Sequence, residues 1–218
     1  MQNASVKRVR RDPMKRLLIL VLLLIGHWCF PLQAQAPSDL HADFLNARDA
    51  FVQFIDSGEG FDSAWTQLTE LEKAYPDHLA AQCYLGALET IKARDAWMPW
   101  TKMRWVEAGL DRLDRALGLL RPEHARDGLA GISTSLDCRL TAARTFLSVP
   151  GFLNRQQDAN DVFSDLIEFT ELVEQPVEVR RSIYRLGLDI AKADDNAEEV
   201  AVWSMRLQQL PPNTEPKK

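Results

Sequence analysis

The chain has 218 residues, 46% of them hydrophobic and 26% charged, with ten glycines and eleven prolines. That composition suits one globular domain with a real core, and it excludes a low-complexity chain. The first 36 residues hold six of the 26 basic and one of the 31 acidic residues; the rest keeps 20 basic against 30 acidic, a net charge of −10. Such a domain lacks the electrostatic footprint for nucleic acid or for an anionic membrane surface.

Residues 1–36 read as a secretory signal. Lys7, Arg8, Arg10, Arg11, Lys15 and Arg16 give a basic start, Leu17 to Phe30 an apolar run, and Ala34-Gln35-Ala36 a small-residue cleavage site. The run spans 14 residues and contains His27, whereas a stable membrane helix needs about 20 apolar residues. Cleavage follows Ala36 or, because Pro37 hinders the peptidase, Ala34. Met14 makes an alternative start to Met1, and His27-Trp28 before Cys29 does not suit a lipidation site. The mature domain is then expected over 37–210, periplasmic or secreted, with a disordered polar tail over 211–218.

Apolar residues at three-and-four spacing run through the mature chain: Phe44, Ala47, Phe51 and Phe54; Trp65, Leu68 and Leu71; Ala80, Cys83, Tyr84, Ala87, Leu88 and Ile91. No stretch sustains an alternation of period two. Pro76, Pro122, Pro176 and Pro211 end helical stretches, since proline neither continues a helix nor tolerates one in the preceding residue. Between them lie blocks 37–75, 77–121, 123–175 and 177–210. Each has one interior break: Ser57-Gly58-Glu59-Gly60, Ala96 to Pro99, Val149-Pro150-Gly151, and Asp194-Asp195-Asn196. The pattern predicts an all-α chain of eight helices in four antiparallel hairpins, which hide their apolar faces by stacking. A shift of 55 residues overlays Cys83 on Cys138, Ala87 on Ala142 and Trp97 on Phe152; a shift of 100 overlays Tyr84 on Tyr184 and Leu88 on Leu188.

These residues resemble the tetratricopeptide-repeat (TPR) family. The fourth block carries Leu186-Gly187, Leu207 and Pro211 at that family's spacing, and the first carries Phe61, Ala64, Leu68 and Pro76 at positions of its second helix. The resemblance implies an α-solenoid of about four hairpins, working as a protein-binding scaffold through a concave face lined by the first helix of each hairpin. The two middle blocks are longer than the ~34 residues of the family unit, through longer helices or inserted loops. The stretch Lys92 to Lys102 is similar to a segment of exported bacterial TPR-like proteins, some encoded beside ABC-type transporters; this implies a cell-envelope partner, a transporter component among the candidates.

Cys83 and Cys138 sit at equivalent positions of successive units, where side-by-side helices allow either a disulfide or two small core residues. Trp97, Trp100 and Trp105, with Arg94, Lys102 and Arg104 among them, form either a binding hot spot or a large-residue helix junction. Arg139 and Arg144, with Arg155, suit an acidic partner or local ion pairs. His41, His78 and His124 have no His or Cys at ligand spacing, and no nucleophile elbow or phosphate loop occurs, so neither metal, cofactor nor catalysis is expected. The alternatives are a cell-envelope enzyme with convergent carboxylates, or a binder of a small apolar ligand around Trp97 to Trp105.

Overall fold

The computed structural model describes residues 39–129, 131–169 and 172–212; the expected signal segment and most of the tail lie outside them. Eight α-helices and no strand occur among the described residues. They are α1 (Leu40–Ser57), α2 (Phe61–Ala74), α3 (Leu79–Lys92), α4 (Pro99–Gly118), α5 (Thr134–Ser148), α6 (Gln156–Phe169), α7 (Val177–Ala193) and α8 (Ala197–Gln208).

The boundaries follow local chemistry. The Asp39 side chain accepts from His41 N–H at 3.1 Å to start α1, and Gly58 closes it in the left-handed conformation, where a Cβ is costly. His78 caps α3 by accepting from Ala81 N–H, Ser133 caps α5 and Asn196 caps α8. Pro99 occupies the first turn of α4, where its missing N–H costs nothing. All four interior breaks coincide with helix junctions, Ser57 ending α1 and Pro99 opening α4, and the first three block-ending prolines fall between α-helices.

Each odd-numbered helix packs most extensively on the helix after it, giving four hairpins. Helices α1 and α3, α3 and α5, and α5 and α7 also touch, so the first helices of successive hairpins lie in sequence. Two apolar clusters result. One joins Phe44, Phe51, Leu68, Leu85, Leu88 and Leu113 with Cys138, Ala142 and Phe146. The other joins Leu136 and Ala143 with Phe163, Ile183, Leu186 and Trp203. Helix α5 feeds both.

The excess length of the middle blocks has two sources. In the second block α4 runs for 20 residues, preceded by a 3-10 turn at Ala93–Asp95. In the third, the surplus is connecting chain, with 3-10 turns at Pro122–Ala125, Gly151–Leu153 and Leu172–Glu174.

The concave lining does not take the expected form at its centre. No residue of α3 is exposed, and α5 with its flanks exposes none from 132 to 147. Arg48 of α1 reaches Asp137 of α5 at 3.9 Å, across the line of α3. Charged side chains of α1 and α5 thus approach one another beside α3, whose own residues are covered, along a seam.

Candidate functional site

The seam is built from charged residues at positions that face inward. On α1, Arg48 shares the helix face of Phe44, Ala47 and Phe51. On α5, Asp137, Thr141, Arg144 and Thr145 share a face by the same spacing, and all but Arg144 are buried. Tyr84 of α3 donates its hydroxyl to Asp137 Oδ2 from below, and Phe51 stacks on the Tyr84 ring with centroids 4.5 Å apart. Burial pushes the Asp137 carboxyl above its ordinary value, against the opposing pull of Tyr84 and Arg48. Burial, then the Asp137 charge, pushes the Tyr84 phenol well up, so it stays a donor.

Two arginines of the seam differ in how they are held. Arg48 Nε is buried with no hydrogen-bond partner, its nearest anion being the 3.9 Å Asp137 oxygen. Arg144 donates Nη2 to the Ser182 carbonyl of α7 at 2.9 Å. Burial lowers its pKa; Asp189 and Asp56 act against that, and Arg185 adds to it. Asp56 belongs to the end of α1 and Asp189 and Arg185 to α7, so Arg144 lies where three hairpins converge. Asp137 and Arg144 are seven residues apart, hence about 10 Å along α5. Arg139 donates to Ser135 Oγ within its own helix. Arg155 is committed to Asp114 at 2.6 Å and to Asp158, with its guanidinium over the Phe146 ring.

The tryptophan elbow divides in two. Trp105 is half-buried and meets Trp65 edge to face at 5.9 Å, with the Lys92 ammonium 3.8 Å from one ring centre and 4.4 Å from the other. That trio packs as a cation between two rings. Trp97 and Trp100, by contrast, are 87% and 67% exposed, and Arg94, Lys102 and Arg104 around them are exposed too. Lys102 Nζ reaches the Arg94 carbonyl at 3.4 Å. Of two surface hollows, one is lined by Pro122, Glu123, Arg126 and Asp127, the other by residues around Asp114 and Arg155; neither includes a tryptophan.

Cys83 and Cys138 are free thiols, both wholly buried, and they interact across the α3–α5 contact. Burial, then the neighbouring Cys83, holds the Cys138 thiol well above its ordinary pKa, which disfavours the nucleophilic thiolate. Among the described residues no group of His, Cys, Asp or Glu is arranged to hold a metal ion, and no helix is long and apolar enough to cross a membrane.

Sequence reasoning passed over Arg48, Tyr84 and Asp137. The available signal was an arginine on the apolar stripe of α1 and an aspartate beside the core cysteine of α5. The fold and this site define an all-α protein of sequential helical hairpins with a charged seam. Comparison with family models, curated proteins and solved structures finds no match.

Proposed function

We propose that this chain is an exported TPR-like scaffold, an α-solenoid of about four hairpins that gathers a protein partner at the cell envelope and catalyses no reaction. The N-terminal basic, apolar and small-residue pattern supports a periplasmic or secreted location after cleavage. The sequential contacts of the first helices support the solenoid. The observation that carries the partner-binding reading is the buried Arg48 Nε without a hydrogen-bond partner, with the partly buried Arg144 on the same seam. A guanidinium drawn out of water with donors to spare favours a carboxylate, which it grips with two parallel hydrogen bonds. The chemistry fits an acidic segment of a partner laid along α1 and α5. A transporter component is the candidate that the Lys92 to Lys102 resemblance offers.

Affinity capture of the exported protein from its own envelope, under crosslinking, tests the proposal. A specific protein should be recovered with the wild type and lost with Arg144→Gln at unchanged helicity. Recovery of no specific partner, or equal recovery with the variant, counts against it.

A further inference from the structure

We infer that the Trp97–Trp100 elbow docks on the interfacial layer of a lipid bilayer, a role separate from partner binding at the seam. The shape of the elbow comes first. Lys92 is the last residue of α3, yet its ammonium lies over the Trp105 ring, six residues into α4. The 3-10 turn Ala93–Asp95 carries the chain on from α3 beside the first turns of α4, where Lys102 Nζ reaches the Arg94 carbonyl at 3.4 Å. Trp97 stands in the connection that follows and Trp100 on the first turn of α4, exposed by 87% and 67%. The next hairpin carries Phe152 at its own elbow, 74% exposed.

The chemistry of the tip selects the occupant. Protein hot spots are usually central and ringed by contacts that exclude water. These indoles stand exposed at the loop end of the hairpin and line neither of the hollows described above. Apolar rings exposed on a loop end are covered most completely by a medium that closes around them. Indole suits the headgroup layer, with an apolar body and an N–H that stays hydrated. Arg94, Lys102 and Arg104 are exposed around the rings against Asp95 and Glu107, which gives lipid phosphates local cations. The mature domain as a whole carries net −10 and draws no help from long-range attraction to anionic lipid. Indole burial is thus the main term, and docking extends to zwitterionic bilayers.

The test is hydrogen exchange of the full chain, alone and with unilamellar vesicles of phosphatidylcholine or of phosphatidylethanolamine with phosphatidylglycerol. A segment-resolved readout is needed because the apolar run from Leu17 could itself bring the chain to a vesicle. Exchange over 94–104 is expected to slow with both lipids by roughly tenfold, the factor that about 1.4 kcal/mol supplies. The double variant Trp97→Ala/Trp100→Ala, whose fold is checked by circular dichroism, should lose this protection. Unchanged exchange over 94–104 overturns the inference, even for a vesicle-bound chain. So does protection that requires phosphatidylglycerol, vanishes in salt and survives in the double variant.

Discussion

His78 starts α3 through a ring nitrogen that accepts a hydrogen bond from Ala81 N–H, and an imidazole can accept only while it is neutral. Burial against Phe44 lowers its pKa, and the backbone and the Asp127 charge only partly offset this. The folded state thus binds the proton less readily than the unfolded one. Stability should be full above the ordinary histidine value of about 6.5 and fall as the pH drops through it. Chemical denaturation across that range should show the slope, and His78→Asn, which keeps a cap without the titration, should flatten it. Tyr84 gives a second residue-scale expectation. Tyr84→Phe leaves the buried Asp137 without its donor and should cost about 1–3 kcal/mol at neutral pH. In acid the cost should shrink, because the protonated carboxyl needs the donor less. Neither role was legible in the sequence, where His78 is one of several scattered histidines. Tyr84 was legible only as a core aromatic, since its partner is 53 residues away.

Helices α3 and α4 make their closest approach at a glycine pair. A Cβ on Gly109 would strike the Gly86 carbonyl and lie 2.9 Å from Thr90 N, and a Cβ on Gly86 would lie 2.9 Å from Gly109 O. Backbone cannot yield as a side-chain tip can, so Gly109→Ala should destabilise by roughly 1–3 kcal/mol, read as a lower denaturation midpoint at unchanged slope. The same hairpin is tied to α2 by Arg112, which bonds Glu72, Gln82 and Glu89. Arg112→Met removes the cation and strands Glu89, only 9% exposed, so a loss of about 3 kcal/mol is expected. The helices themselves were readable, because prolines and caps are local signals and the apolar stripe repeats every three to four residues. The ion pairs were not, because the partners of Arg112 lie 23 to 40 residues away. The equivalence of Cys83 and Cys138 in the 55-residue overlay is matched by their meeting across α3 and α5. A disulfide there would release two protons and pass two electrons to an envelope thiol oxidant. With both sulfurs wholly buried, it would form before the helices close. Intact mass of the protein purified without reductant distinguishes the free thiols of the structure from a disulfide.

At the scale of the whole domain, stability is shared between two apolar clusters that meet through α5, whose Cys138, Ala142 and Phe146 serve one and Leu136 and Ala143 the other. The overlays at 55 and 100 residues suggested repetition, but the surplus in the middle blocks was ambiguous. Length alone does not distinguish the 20-residue α4 from the connecting chain of the third block. The approach of Arg48 to Asp137 was hidden for a related reason: helical patterns identify a buried face without saying which neighbour covers it. This layout sets how damage should spread. Trp203 of α8 is 5% exposed and packs on Phe163 and Tyr184, while Gly187 of α7 leaves it room: a Cβ there would lie 2.6 Å from the indole. Trp203→Ala opens a cavity in the second cluster alone, worth about 3–5 kcal/mol locally. In a stack whose units hold mainly their neighbours, that loss should loosen 177–208 and leave the first two hairpins closed. Hydrogen exchange of the variant should show fast amides in α7 and α8 with protection retained over 40–118. Uniform loss across all four hairpins would instead make the domain a single cooperative unit, with α5 transmitting the defect.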